Sequence, residues 1–172
     1  MPEPAALLDW VLRRIALEKD MRGLRLLVTA GPTRESIDPV RFITNHSSGK
    51  MGYAIARNAM LRGAEVTLVS GPCAMDPVPF VEFVPVTTAR EMFEAVTGRA
   101  DGQDIIVKAA AVADYRPVHV ADDKVKKSDG QMSIELERTD DILQYLGEHR
   151  SPGQFLCGFS METENLTENS RA

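Results

Sequence analysis

Apolar positions along the chain change period several times. Leu7, Leu8, Val11, Leu12 and Ile15 recur at helical spacing and predict an amphipathic helix over Ala5–Glu18, followed by a polar break at Lys19–Gly23. Leu24–Ala30 (LRLLVTA) is a short, β-rich apolar run, the form of a strand buried on both faces. Met51, Ile55 and Ala59, with Ala54 and Leu61, trace a helix that stops at Gly63; Glu65–Ser70 then reads as a strand closed by Gly71-Pro72. Val81–Val86 is another strand. After it, Thr88-Ala-Arg-Glu91 forms a capping box for a helix with Met92, Phe93 and Val96 inward. Asp104–Ala111 is a further buried strand, and Met132, Ile134 and Leu136 alternate as in a half-exposed one. Thr139 reads as an N-cap, with Asp140 and Asp141 at the positive helix end and Ile142, Leu143, Tyr145 and Leu146 inside. Gln154–Phe159 is the last buried strand.

Strands alternating with helices predict an α/β fold: a Rossmann-like, doubly wound, mostly parallel sheet with right-handed crossovers. Such sheets bind ligands beyond the carboxyl ends of their strands. Segments 31–50, 70–80 and 112–130 all follow strands and are expected to line that edge. The first, GPTRESIDPVRFITNHSSGK, far exceeds an ordinary βα connection of about 2–6 residues. The polar stretch at the end of the chain reads as the start of a helix, so the sheet is expected to be truncated at its C-terminal side.

Composition narrows the class. With 172 residues, 44 % of them apolar, the chain is long enough for one domain with a sizeable core. A net charge of −5 gives no reason to expect nucleic acid as partner, and no apolar run approaches the roughly 18 residues a membrane span needs. Asp9, Glu18 and Asp20 near the start, without a small-residue cleavage site, do not form a signal peptide. Cys73 and Cys157 lie outside any C-x-x-C pair, which points to a reduced, cytoplasmic protein.

The chemistry concentrates in the long loops. Asn45-His-Ser-Ser-Gly-Lys-Met-Gly52 places a small hydroxyl-bearing turn directly before a helix, where free N–H groups and the macrodipole favour a phosphate. A simple N-cap by Ser47 or Ser48 explains it equally well. It is not a Walker A loop, since Met51 stands where Ser or Thr is needed, nor a G-x-G-x-x-G turn. Arg34 and Arg41 suit a phosphate or a carboxylate as bidentate donors, or are surface charges. Lys124, Lys126 and Lys127 form either a solvated loop or a flap. In extended backbone Lys124 and Lys126 face one side, where they can close over a polyphosphate, and Asp122, Asp123 and Asp129 keep the loop exposed. Asp114, just past a strand end, fits a turn cap, a ribose contact or a contact to ligand-bound Mg²⁺. His46, His119 and His149 have no metal-ligand spacing, and Cys157, amid Phe155, Leu156 and Phe159, reads as a core thiol. No G-x-S-x-G elbow is present.

Taken in order and spacing, LLVTAGPTRESIDPVRFITNHSSGKMGYAIA, VTLVSGP, KAAAVADYRP, KVKK and GFSMETEN resemble the phosphopantothenoylcysteine synthetase domain of the bacterial bifunctional coenzyme A biosynthesis family. The resemblance runs from about Gly23 to the end. Residues 1–22 then look like a helical leader and linker from a preceding flavoprotein decarboxylase, and 23–172 like the nucleotide-binding ligase domain, incomplete at its C-terminus. FMN is expected only in that decarboxylase. The resemblance implies that CTP, with Mg²⁺, activates 4′-phosphopantothenate as an acyl-cytidylate, and that cysteine displaces CMP. It implies catalytic roles for Asn45, in converting the acyl-cytidylate, and for Lys124, in holding the triphosphate. Ser47, Ser48 and Gly49 match its phosphate turn; Lys108, Ala109, Ala110, Asp114, Glu137, Arg138, Thr139, Asp140 and Phe155 match nucleotide-contacting positions. No metal ligands are assigned beyond Mg²⁺ on the nucleotide phosphates. A homodimer with sites completed across the interface is implied too.

Two other readings compete. A Rossmann oxidoreductase fits the Leu24–Ser70 unit, with Glu65 as a mistaken ribose acid, but the glycine fingerprint is absent. Tyr53, Tyr115 and Tyr145 are followed four residues on by Arg57, His119 and His149 in place of lysine. The other reading is a non-catalytic nucleotide-binding module.

Overall fold

The computed structural model describes residues 2–127 and 131–161. The C-terminal helix start and Asp129 fall outside the described residues. Among those described, five strands form one sheet: β1 (Arg25–Ala30), β4 (Glu65–Ser70), β5 (Glu82–Pro85), β6 (Ile105–Lys108) and β9 (Phe155–Gly158). Their order is β5-β4-β1-β6-β9, and every neighbouring pair is parallel. The order reverses direction between β1 and β6, which defines the switch-point crevice of a doubly wound sheet.

Helices cover both faces because β1 is apolar on both. Leu26, Val28 and Ala30 pack on one side with Tyr53, Ala56, Ala59 and Met60 of α2 (Lys50–Leu61). Leu27 packs on the other side with Met92 and Val96 of α3 (Ala89–Ala100), and with Ile142 and Leu146 of α4 (Ile142–Glu148). Burying each such side chain contributes roughly 1.5–3 kcal/mol. Gly52 lets α2 lie against the end of β1, since a Cβ there would meet Ala30 Cβ at 2.5 Å and the Thr29 carbonyl at 2.7 Å.

Several expectations need correction. α1 (Pro4–Ile15) forms, yet none of its residues is buried. The amphipathic period reported a helix but not a surface to cover it, and α1 rests on the domain through Trp10 against Phe80 and Asp9 paired with Arg57 at 3.3 Å. Segment 31–50 contains a hairpin, β2 (Arg34–Ser36) and β3 (Phe42–Thr44), and β7 (Tyr115–Pro117) pairs antiparallel with β8 (Leu136–Arg138). These strands are three residues long, too short to show a period. Met132 and Ile134 therefore lie outside the strand expected of them.

Thr139 does not cap α4; Asp141, next to the helix, accepts from Gln144 N–H at 2.9 Å. Leu143 and Tyr145 are exposed, while Ile142 and Leu146 are inside. The strand over Gln154–Phe159 is shorter and is not buried throughout. β9 stands at the edge of the described sheet, Phe155 and Phe159 are exposed, and Cys157 is half-buried, not a core thiol. No helix among the described residues is long and apolar enough to cross a membrane.

Candidate functional site at the sheet switch point

The chain leaving β1 and the chain leaving β6 run side by side, joined by backbone and buried hydroxyls. Ala111 N–H donates to the Gly31 carbonyl at 2.9 Å, and Thr33 N–H to the Ala111 carbonyl at 3.2 Å. Thr29, wholly buried, accepts from both Ala109 and Ala110 N–H at 3.1 Å. Thr33 accepts from Ala113 N–H at 3.0 Å, and the Thr139 hydroxyl donates to the Ala113 carbonyl at 2.6 Å. Thr139 N–H donates to the Asp114 carbonyl at 3.0 Å. Thus the loop 109–114 is tied down by side chains that a hydrophobicity pattern cannot single out.

Asn45 joins this cluster. β3 carries it past Thr44, whose hydroxyl donates to the Thr33 carbonyl at 2.7 Å, and its amide donates to the Val112 carbonyl at 3.0 Å. The side chain remains exposed. Next along the chain, Ser47 Oγ accepts from Gly49 N–H at 3.3 Å, and Gly49 takes the left-handed conformation (φ 76°) as N-cap of α2. No side chain caps that helix start, so neither Ser47 nor Ser48 is the N-cap. The first N–H groups of α2 are open to an anion beside the carboxyl end of β1. α3 differs: Thr88, Glu91 and the buried Glu35 occupy its first N–H groups, leaving no room for one.

Lys108 ends β6 at the crevice. Burial pushes its ammonium below the ordinary lysine value, opposed by the charges of Asp141 and Asp114. It makes no hydrogen bond or ion pair among the described residues. A half-buried cation free of close ion pairs at a ligand crevice is suited to an anionic ligand. Glu137 pairs with Arg116 at 2.8 Å along the β7–β8 ladder, beside Arg138 and ahead of Thr139 and Asp140.

Other charged candidates are distributed differently. Arg41 is committed to Asp38, with Nε at 3.0 Å and Nη2 at 2.5 Å from the same carboxylate oxygen. Arg34 stacks over Phe42 at 4.7 Å. Lys124, Lys126 and Lys127 are exposed, and Val125 between the first two is half-buried. Phe155 is not brought to the crevice. In parallel register it lies opposite Ile105, at the amino end of the sheet, whereas Lys108 lies opposite Gly158 at the carboxyl end. Glu65 also starts its strand at the amino end, opposite Arg25, and cannot serve as a ribose acid at the crevice. Among the described residues no three His, Cys, Asp or Glu side chains cluster as a metal cage.

A doubly wound sheet with an open helix N-terminus, a half-buried lysine and a stitched loop at its switch point has the architecture of α/β domains that take an anionic ligand at that crevice. The chain belongs to the DNA/pantothenate metabolism flavoprotein C-terminal domain family, whose model matches residues 21–172. It is 51 % identical over 152 residues to the coenzyme A biosynthesis bifunctional protein CoaBC of Bacillus subtilis, covering 88 % of this chain and 37 % of that protein. Against CoaBC of Escherichia coli strain K12 it is 43 % identical over 174 residues, covering 99 % of the chain and 43 % of the relative. The chain therefore spans about two fifths of the length of these relatives. The crystal structure of a CoaBC C-terminal domain superposes with TM-score 0.77 at 52 % identity, covering 88 % of this chain and 71 % of that one. A complex of a Cab2 mutant with phosphopantothenate-cysteine, at 19 % identity and TM-score 0.73 over 96 % of this chain and 74 % of that one, shares the fold.

Proposed function

We propose that this domain joins 4′-phosphopantothenate to cysteine with CTP as the activating nucleotide. The substrate carboxylate attacks the α-phosphorus of CTP and expels pyrophosphate. The cysteine amine then attacks the acyl carbon, CMP leaves with the bonding electron pair, and the amine proton passes to water. Neither step needs a side-chain nucleophile. The protein's task is to bring two anions together and hold them aligned.

The observation that carries this reading is Asn45 held by the Val112 carbonyl on the loop after β6, on the segment that leads into the uncapped start of α2, with Lys108 at the end of β6. Lys108, Lys124 and the Ser47–Gly49 turn lower the repulsion between carboxylate and triphosphate. Asp114 and the Glu137–Asp140 segment border the nucleotide. The Asn45 amide donates to the oxyanion that forms as the amine attacks. The exposed Asp114 carboxylate would help hold Mg²⁺ on the nucleotide, and the ion would supply charge screening for the triphosphate. Identity to CoaBC proteins supports the substrates, and a fused decarboxylase and a cytoplasmic location go with the same reading. A homodimer is part of it as well: Phe42, Tyr115 and Leu136, exposed on the two small antiparallel strand pairs, supply apolar surface for such a contact.

Calorimetric titration with CTP, ATP and NADPH, each with Mg²⁺, tests the reading. Selective CTP binding, followed by phosphopantothenate-dependent pyrophosphate release, is expected. Tighter NADPH binding contradicts it in favour of an oxidoreductase, and CTP binding without pyrophosphate release leaves a binding module.

A further inference from the structure

The turn between β2 and β3 contains a carboxylate with more partners than a turn requires. Asp38 has no exposed side-chain surface. Its Oδ1 accepts from Val40 and Arg41 N–H at 2.8 Å each, which is the ordinary bonding of an Asx turn. Its Oδ2 accepts from the Arg41 guanidinium, and also from Val125 N–H at 3.1 Å, 87 residues away. Arg41 Nη2 continues to the Val125 carbonyl at 2.8 Å. A second strap runs alongside, from Ala121 N–H to the Ile37 carbonyl at 3.0 Å. The guanidinium and these N–H groups hold the Asp38 carboxyl far below the usual carboxylate range, so it stays ionised.

Val125 stands between Lys124 and Lys126. With its N–H and its carbonyl both tied, the two peptide groups that aim those lysines are fixed. The same hairpin leads through β3 to Asn45, which grips the loop after β6. One buried carboxylate thus links the root of the lysine segment to the strand that delivers the Asn45 amide. Burying it is costly unless every lone pair is used, and here the second oxygen serves a remote segment.

We propose that Asp38 is a positioning residue: acting with Arg41, it registers the Lys124–Lys126 segment against the Asn45 side of the crevice. What those lysines hold rests on the ligase reading above; the clasp itself is a property of this chain's geometry.

Backbone hydrogen exchange and steady-state kinetics of Asp38→Asn test it. The expected result is at least about tenfold faster exchange at Val125, with the amides of β1 unchanged. With it, KM for CTP rises about tenfold while kcat falls less than about threefold, the pattern of lost ligand positioning. Should Asp38→Asn fold poorly, Arg41→Lys serves as the second variant. Its side chain is 42 % exposed, and lysine keeps the charge while losing the fork to Asp38 and Val125. It is expected to show the same Val125 release. Unchanged Val125 exchange in the folded variant, or equal loss of kcat and kcat/KM with KM intact, overturns the proposal. If the parent domain makes no product from CTP, the ligase reading fails, and the exchange result still decides the clasp.

Discussion

The two ends of the sheet are built by different physics. At the amino end, short turns are closed by exposed pairs such as Arg62 with Asp20 and Arg25 with Asp104, and the side chains of all four are between 39 % and 52 % exposed. At the carboxyl end the loops are long, and buried Thr29, Thr33, Glu35 and Asp38 spend their oxygens on distant backbone N–H groups. Water can replace a partner at the first end but not at the second. A crevice that must keep one shape is therefore held by polar atoms taken out of solvent, and surface charge is left to the end where shape matters less.

Thr29→Val should show the largest effect. It preserves shape but orphans two half-buried N–H groups, at up to about 1–3 kcal/mol each, so urea unfolding should report a loss of roughly 2–5 kcal/mol. Thr33→Val orphans only Ala113 N–H and should cost about 1–3 kcal/mol in the same experiment. Lys108→Met should act in the opposite direction. Removing a half-buried cation that forms no ion pair among the described residues is expected to raise the melting temperature by roughly 2–4 °C per kcal/mol recovered, while CTP binding weakens. Its pH signature follows from the lowered folded-state value. The unfolded chain binds the proton more tightly, so stability of the unliganded domain should climb as pH rises through that lowered value toward the ordinary lysine range, and Lys108→Met should flatten the climb. Asp104→Asn, at the amino end, should change stability by less than about 1 kcal/mol in thermal unfolding. A larger loss there than in Thr33→Val would break the contrast.

Much of this layout is legible in the sequence where a single period governs. Glu65–Ser70 is the strand that its apolar run predicts, and the Thr88–Glu91 capping box forms with both reciprocal bonds. Arg25–Ala30 is buried from Leu26 onward, as a strand covered on both faces should be. The two small antiparallel pairs leave no trace in the pattern because three-residue strands carry no period. Thr139 and Asp141 are both good N-caps in isolation, and the choice between them was made by the Ala113 carbonyl, far off in sequence. Phe155 illustrates the same limit: its strand is readable, but which end of the sheet it occupies depends on the register with Ile105. Thr29, Thr33 and Asp38 left no signal beyond a polar residue amid or beside apolar ones, a pattern that becomes informative only when the partner loop is known.

The most direct measurement of the central claim is a parallel assay of pyrophosphate release and product formation by Asn45→Asp. Asn45 sits exposed at the loop after β6, and the proposed reading gives its amide a role in the second half-reaction alone. The account predicts that phosphopantothenate-dependent pyrophosphate release from CTP persists while the cysteine adduct fails to form and acyl-cytidylate accumulates. Equal loss of both steps would contradict it.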